Sequence, residues 1–249
     1  MYCVIHWYLF LLALLRLCCI VSSSDDAVNM DDGSDGYDPD GRRYVWSPDA
    51  TNEAYYPYIG GFGISVSVTS DDSFAVVGAE AAHSVYLFEK QDTGPYTDEW
   101  NVSASHVYTY EGVAGFGVSV AAHDDRIVVG ASDANRVYMY LRDAPGRWPS
   151  FPTSILYILD GEFLRAQGNF GVSVALSDWY VLVGANKDMK AYIFYPDDDG
   201  AWSSQSHINV VVLEAPETVR DFGISVALCD TFAVVASNLE RKVGHGHSP

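Results

Sequence analysis

One short phrase recurs four times along this chain, and its recurrence limits the fold more than any other property. GFGISVSV begins at Gly61, GFGVSVAA at Gly115, NFGVSVAL at Asn169 and DFGISVAL at Asp221, so Phe62, Phe116, Phe170 and Phe222 are spaced by 54, 54 and 52 residues. Other landmarks keep step: VVGA from Val76 and again from Val128, LVGA from Leu182, and VVAS from Val234. Tyr86, Tyr138 and Tyr192 each follow the second glycine of their unit, Gly78, Gly130 or Gly184, by eight residues. A period of this length, held over four copies, belongs to an architecture in which each copy is one supersecondary unit that shelters its faces against its neighbours.

Within a unit the pattern is β throughout. Short runs rich in Val, Ile, Phe and Tyr alternate with turn clusters such as Ser70-Asp71-Asp72-Ser73 and His123-Asp124-Asp125-Arg126, and no stretch sustains a 3.6-residue period. A unit reads as strand (FGxSVA), tight turn, strand (VVGA), short loop, strand (VYxF), longer loop and a fourth strand such as SHVYTYE, SILYILD or HINVVVLE. Four antiparallel strands in about 50 residues make one propeller blade. The expected fold class is therefore all-β, a β-propeller of about four antiparallel four-stranded blades, incomplete or truncated if the ring does not close. The interval from Phe62 to Gly78 is 16 residues against 14 in the next two units, an even insertion that leaves every side chain on its own face. Alternation puts Phe62, Ile64 and Val66 on a bulky face and Gly63, Ser65 and Ser67 on a small one, so the bulky face of one blade can enter the space left by the next.

The boundaries follow from the repeats. Residues 44–237 hold the propeller units and residues 238–249 an irregular tail. Trp46, Trp100, Trp148 and Trp202 each precede an outer strand, so the stretch from Tyr44 to Ile59 reads as an outer strand lacking its own blade. Residues 1–23 read as a secretory signal, with LFLLALL at its centre and Ser22, Ser23 and Ser24 behind it; the alternative is a retained signal anchor at the cell surface. Residues 24–43, with Asp31, Asp32, Asp35, Asp38 and Asp40, have the composition of an acidic flexible linker. Cys3, Cys18 and Cys19 fall in the signal, leaving Cys229 as an expected buried, inert thiol, and Asn101 opens an N-glycosylation sequon. The expected location is thus secreted or extracellular, or anchored at the surface by residues 1–23.

Charge narrows the partners. Lys plus Arg number 14 against 33 Asp plus Glu, a net charge of −19, so a phosphate backbone would be repelled over most of the surface and nucleic acid is not an expected partner. A membrane is a partner only if the N-terminal segment is retained. Self-association is expected if the ring is open, because an open ring exposes a sheet face and strand edges.

These motifs, FG at the start of a unit and GA on the second hairpin arm, resemble the FG-GAP repeat of integrin α heads and microbial surface proteins, over roughly Trp46 to Ser237. The resemblance implies a propeller, often seven-bladed, that recognises proteins or glycans outside the cell; seven such blades would need about 370 residues, and this chain has room for four. On this reading Phe62, Gly63, Gly78, Phe116, Gly117, Gly130, Phe170, Gly171, Gly184, Phe222 and Gly223 are the repeat-defining structural residues. Members of the family often bind calcium through an acidic loop, and here that place holds only Asp71-Asp72, Asp124-Asp125, Asp178 or Asp230, too few oxygens for calcium. No metal or other cofactor is expected.

A search for catalytic chemistry finds little. There is no G-x-S-x-G elbow and no H-E-x-x-H; Ser65, Ser119, Ser173 and Ser225 recur at one repeat position, which marks them as packing residues. His83, His106, His123 and His207 fall at different points of their units. The expected function is a non-catalytic extracellular or cell-surface binding or adhesion module that recognises proteins or glycans through its loops, with Tyr55, Tyr56, Tyr58, Tyr96 and Trp148 as candidate contacts. The alternatives are a small extracellular hydrolase on a propeller frame and a structural component of an extracellular coat.

Overall fold

The computed structural model describes residues 17–20, 52–55, 59–69, 73–90, 100, 103–144, 147–157, 159–160, 163–164, 168–196, 202, 208–215 and 219–239. Strands β1 (Leu17–Ile20) and β2 (Asn52–Tyr55) pair antiparallel. The first four-stranded sheet follows as β3 (Phe62–Val68), β4 (Phe74–Ala79), β5 (Ser84–Glu89) and β6 (His106–Thr109). The second is β7 (Phe116–His123), β8 (Arg126–Ala131), β9 (Arg136–Leu141) and β10 (Ser154–Leu156). After a short pair, β11 (Leu159–Asp160) and β12 (Phe163–Leu164), come β13 (Ser173–Leu176), β14 (Val181–Ala185), β15 (Lys190–Pro196) and β16 (Ile208–Glu214) as the third. The fourth sheet has two described strands, β17 (Val219–Leu228) and β18 (Ala233–Leu239).

In each complete sheet the spatial order of strands is their order in the chain, the up-and-down meander of a propeller blade. The protein is all-β, with three complete blades and a fourth, of which two strands are described, stacked in sequence, β3 and β4 on β7, β7 on β13, and β13 and β14 on β17. Residues 24–43 and 240–249 lie outside the description. Leu17–Ile20 falls within the expected signal segment, and β18 runs two residues past the expected end of the repeats at 237. Asn52–Tyr55, expected to edge a blade, pairs instead with Leu17–Ile20.

Two buried clusters lie at the blade junctions. Phe74, Val76, Val85, Leu87 and Tyr108 of the first blade meet Phe116, Val120, Ile127, Val129, Tyr138, Tyr140 and Trp148 of the second. Ala121, Val128, Val137, Met139 and Leu156 on the back of the second blade meet Phe170, Leu176, Val181, Val183, Tyr192, Phe194 and Trp202 of the third. The two-residue insertion in the first unit is taken up in the turn: Val66 opposes Val77 as Val120 opposes Val129 and Val174 opposes Val183. Thr69, fully buried, closes that longer turn by accepting hydrogen bonds at Oγ1 from the N–H groups of Ser73 (3.1 Å) and Phe74 (3.2 Å).

The FG glycine serves a bulge. Phe62 pairs with Ala79 and Ser65 with Gly78, leaving Gly63 and Ile64 out of register, and Phe116 and Ser119 repeat the device. Gly63, Gly117, Gly171 and Gly223 have φ of +82°, +89°, +93° and +90°, a conformation that glycine adopts without steric cost. Because two residues are left out of register, the bulge keeps the alternation expected from sequence for Phe62 and Val66 on one face and Ser65 and Ser67 on the other.

The bulge aims the glycine carbonyl at the preceding blade, where a serine meets it. Ser65 Oγ donates to Gly117 O (3.0 Å), Ser119 Oγ to Gly171 O (2.8 Å) and Ser173 Oγ to Gly223 O (2.8 Å). Opposite each serine lies the second repeat glycine, Gly78, Gly130 or Gly184, and a methyl group there would overlap both that carbonyl oxygen and the serine Oγ. Gly130→Ala should therefore force the second and third blades apart and lower the unfolding free energy by about 2 kcal/mol or more, against about 1 kcal/mol for Ser119→Ala, which removes only the hydrogen bond. Urea denaturation of the two variants beside the wild type measures both.

Candidate functional site

The turns joining the first two strands of successive blades lie side by side along one edge of the stack, and there the sequence varies while its frame does not. Asp124, Asp178 and Asp230 each stand eight residues after the motif phenylalanine of their unit. The position before them is Thr69, His123, Ser177 or Cys229 across the four units, so the histidine of the second breaks the repeat. In the second blade the turn is a tight two-residue hairpin, His123 pairing with Arg126 and Asp124 holding a φ of 49°, which Asp tolerates better than most residues.

Stacking brings these turns together. His123 Nδ1 lies 3.5 Å from Asp124 Oδ2, and its Nε2 lies 3.4 Å from Asp178 Oδ1 on the third blade. The N–H of Asp178 in turn donates to Asp230 Oδ1 at 3.3 Å, so three successive turns are tied in one line. Arg126 Nε lies 3.3 Å from Asp125 Oδ1. Between the second and third blades Asp124, Asp125, Arg126 and Asp178 line an open cleft of about 410 Å³ with Leu141, Trp179, Pro196 and Trp202. Trp202 is buried in the floor of the junction, whereas Trp179 is 60% exposed.

The cleft presents carboxylate acceptors, one arginine and the face of an indole. His123, Asp124 and Asp178 place one ligand atom each within 4.8 Å of one another, a set that an ion favouring mixed nitrogen and oxygen ligands could use. Two carboxylates and an imidazole, drawn from two blades rather than from one loop, supply fewer protein oxygens than the six to eight that calcium takes.

The sequence-based contacts fare unevenly. Tyr56, Tyr58, Tyr96 and Asn101 lie outside the described residues, and of Tyr55 only the backbone, at the end of β2, is described. Trp148 is corrected from surface contact to core: it is 6% exposed, stands edge-on to Phe74 at 4.9 Å, and donates from Nε1 to Glu89 Oε1 at 3.2 Å across the first junction. A side chain so enclosed has no face to offer a ligand. Cys229, expected buried, is exposed, because among the described residues nothing covers its turn; hydrogen bonds from Thr231 lower its thiol pKa below the usual value. Trp179 and the His123–Asp178 contact went unread. Their signal was the break in the repeat at His123 and an aromatic where the fourth unit has Thr231.

No family model matches the chain, and no curated protein matches it. A crystal structure of the Myceliophteria thermophila Cps50 (Swd1) β-propeller domain is similar with a TM-score of 0.45 and 13% identity, over 70% of this chain and 49% of that one, so the chain spans about half the length of that structure.

Trp148→Ala should cost about 3–5 kcal/mol of stability by the usual scale for large buried aromatics, which guanidinium unfolding measures. The same junction sets an alkaline limit. Tyr108 and Tyr140 stack at 4.1 Å, Tyr108 donating its hydroxyl to Pro149 O at 2.9 Å, and burial first, then neighbouring acidic groups, push both phenols well above their usual value of 10.0. Above pH 10 the unfolded chain thus releases phenolic protons that the folded chain keeps, so stability should fall as pH rises through and beyond that value. Melting temperatures from pH 8 to 11.5 should show this decline, and Tyr140→Phe should make it shallower.

Proposed function

We propose that the protein is a non-catalytic binding module of the cell exterior, secreted or held at the cell surface by residues 1–23, that recognises a glycan or protein at the turn end of its blades. The observation that carries this reading is Trp179, an indole 60% exposed in the wall of a cleft whose charged groups are Asp124, Asp125, Asp178 and Arg126. A large ring held in water by a short turn adds little to the core. Beside hydrogen-bonding carboxylates it suits the apolar face of a sugar ring or the side chain of a partner protein. The resemblance of the four repeats to FG-GAP units of surface proteins supports the same reading, as does a net charge of −19, which disfavours polyanionic partners.

Rigid blades with variable turns are the usual division of labour in a binding scaffold, since backbone set by the core costs little ordering when a ligand arrives. Screening the wild type on glycan and matrix-protein arrays should identify a ligand. Trp179→Ala should then weaken binding at least tenfold while moving stability by no more than about 0.5 kcal/mol. Unchanged affinity in that variant, or silence of the wild type on both arrays, would remove the proposal.

A further inference from the structure

The turn position occupied by His123 is Thr69, Ser177 and Cys229 in the other three units, so a nitrogen ligand enters the row of turns at one place alone. Ser119, Ala121 and His123 share the face of β7 that the third blade covers, and this alternation carries the imidazole to Asp178 on the neighbouring turn. At the next junction the equivalent residue is Ser177, which brings no nitrogen to Asp230. Among the described residues no other group of three His, Cys, Asp or Glu side chains converges as His123, Asp124 and Asp178 do. Counting carboxylates within single turns misses this set, because its members lie on two units.

The imidazole stands between the two carboxylates, with Nδ1 3.5 Å from Asp124 Oδ2 and Nε2 3.4 Å from Asp178 Oδ1. A neutral ring has one N–H, so whichever nitrogen carries it, the other turns a lone pair toward a carboxylate oxygen. Nδ1 is buried and makes no hydrogen bond. Arg126 does not relieve this crowding of lone pairs, since its Nε is engaged by Asp125 at 3.3 Å. A divalent cation held by the free nitrogen and both carboxylates turns the contact into an attraction, while the remaining N–H keeps its carboxylate partner. Bonds of about 2.0–2.2 Å in a tetrahedral array set neighbouring ligand atoms about 3.3–3.5 Å apart. The two contacts of the ring have that spacing already. The side chains of Asp124 and Asp178 are 53% and 47% exposed, which leaves a fourth coordination position open to the cleft.

We propose that His123, Asp124 and Asp178 form a binding site for one zinc-class ion, a divalent transition metal held by one nitrogen and two carboxylates, which bridges the turns of the second and third blades. The nitrogen ligand selects against calcium and magnesium, hard ions that take oxygen. Because its ligands come from both blades, the ion ties the junction at the edge where the cleft opens. The site stands apart from the binding reading above: a ligand found on the arrays without zinc binding removes the site and leaves that reading, and zinc binding with silent arrays does the reverse.

The probe is zinc chloride alone, titrated calorimetrically into the metal-stripped full chain carrying His245→Ala and His247→Ala, so that the histidines near its C-terminus do not compete. This parent should bind one ion per chain with micromolar or tighter affinity, and zinc should raise its melting temperature. His123→Ala and Asp178→Asn, one on each blade, should each weaken binding at least about tenfold and abolish that rise, whereas His106→Ala should change neither. Melting curves without zinc show whether each variant stays folded. As a second measurement that needs no variant, cobalt in place of zinc should give the visible absorption bands of a four-coordinate ion in the parent. The proposal is overturned if the parent binds zinc no better than His123→Ala, if calcium binds as tightly as zinc, if Asp178→Asn keeps the parent's affinity, or if the cobalt bands are absent.

Discussion

The structure depends on how closely two blades can approach at their innermost strands. A peptide carbonyl of one sheet reaches into the space beside the α-carbon of the next, and only a residue without a side chain grants it entry. Once that contact is made, the serine hydroxyl beside it satisfies a carbonyl that would otherwise lie unpaired between sheets. The junction cores, with Phe116, Tyr138 and Tyr140 on one side and Val76 and Leu87 on the other, can then come into contact. Hydrophobic burial supplies most of the stabilisation, but the backbone contact sets the distance at which burial becomes possible.

Much of this was legible in the sequence and part was not, for physical reasons. Four evenly spaced copies announce stacked four-stranded units because no other economical arrangement buries both faces of so many short strands. The even insertion before Gly78 was readable too, since parity alone keeps Val66 and Val77 paired. Ser65, Ser119 and Ser173 were recognised as packing residues, yet their partners lie in the following unit, and nothing local names the carbonyl they meet. The positive φ of Gly63 and its equivalents belongs to a bulge, which strict alternation does not reveal.

At the candidate site the balance shifts. Trp148 looked like a contact because tryptophans beside loops often are, but its place against Phe74 and Glu89 depends on the neighbouring blade. His123 and Asp178 are 55 residues apart and meet only because stacking aligns equivalent turns. Pairs of this kind arise wherever a repeat places polar residues in equivalent turns of consecutive units, so the departures from the repeat, rather than the repeat itself, mark where function is written.

The recurrence of one serine-to-glycine hydrogen bond at intervals of 52, 52 and 50 residues also carries a consequence for how such a chain can change. Because each seam uses the same parts, units are interchangeable at their seams: duplicating or exchanging the second and third would leave every backbone fit intact. The turns at the rim travel with their units as passengers, so new combinations of surface groups can be assembled by shuffling whole blades without redesigning any interior.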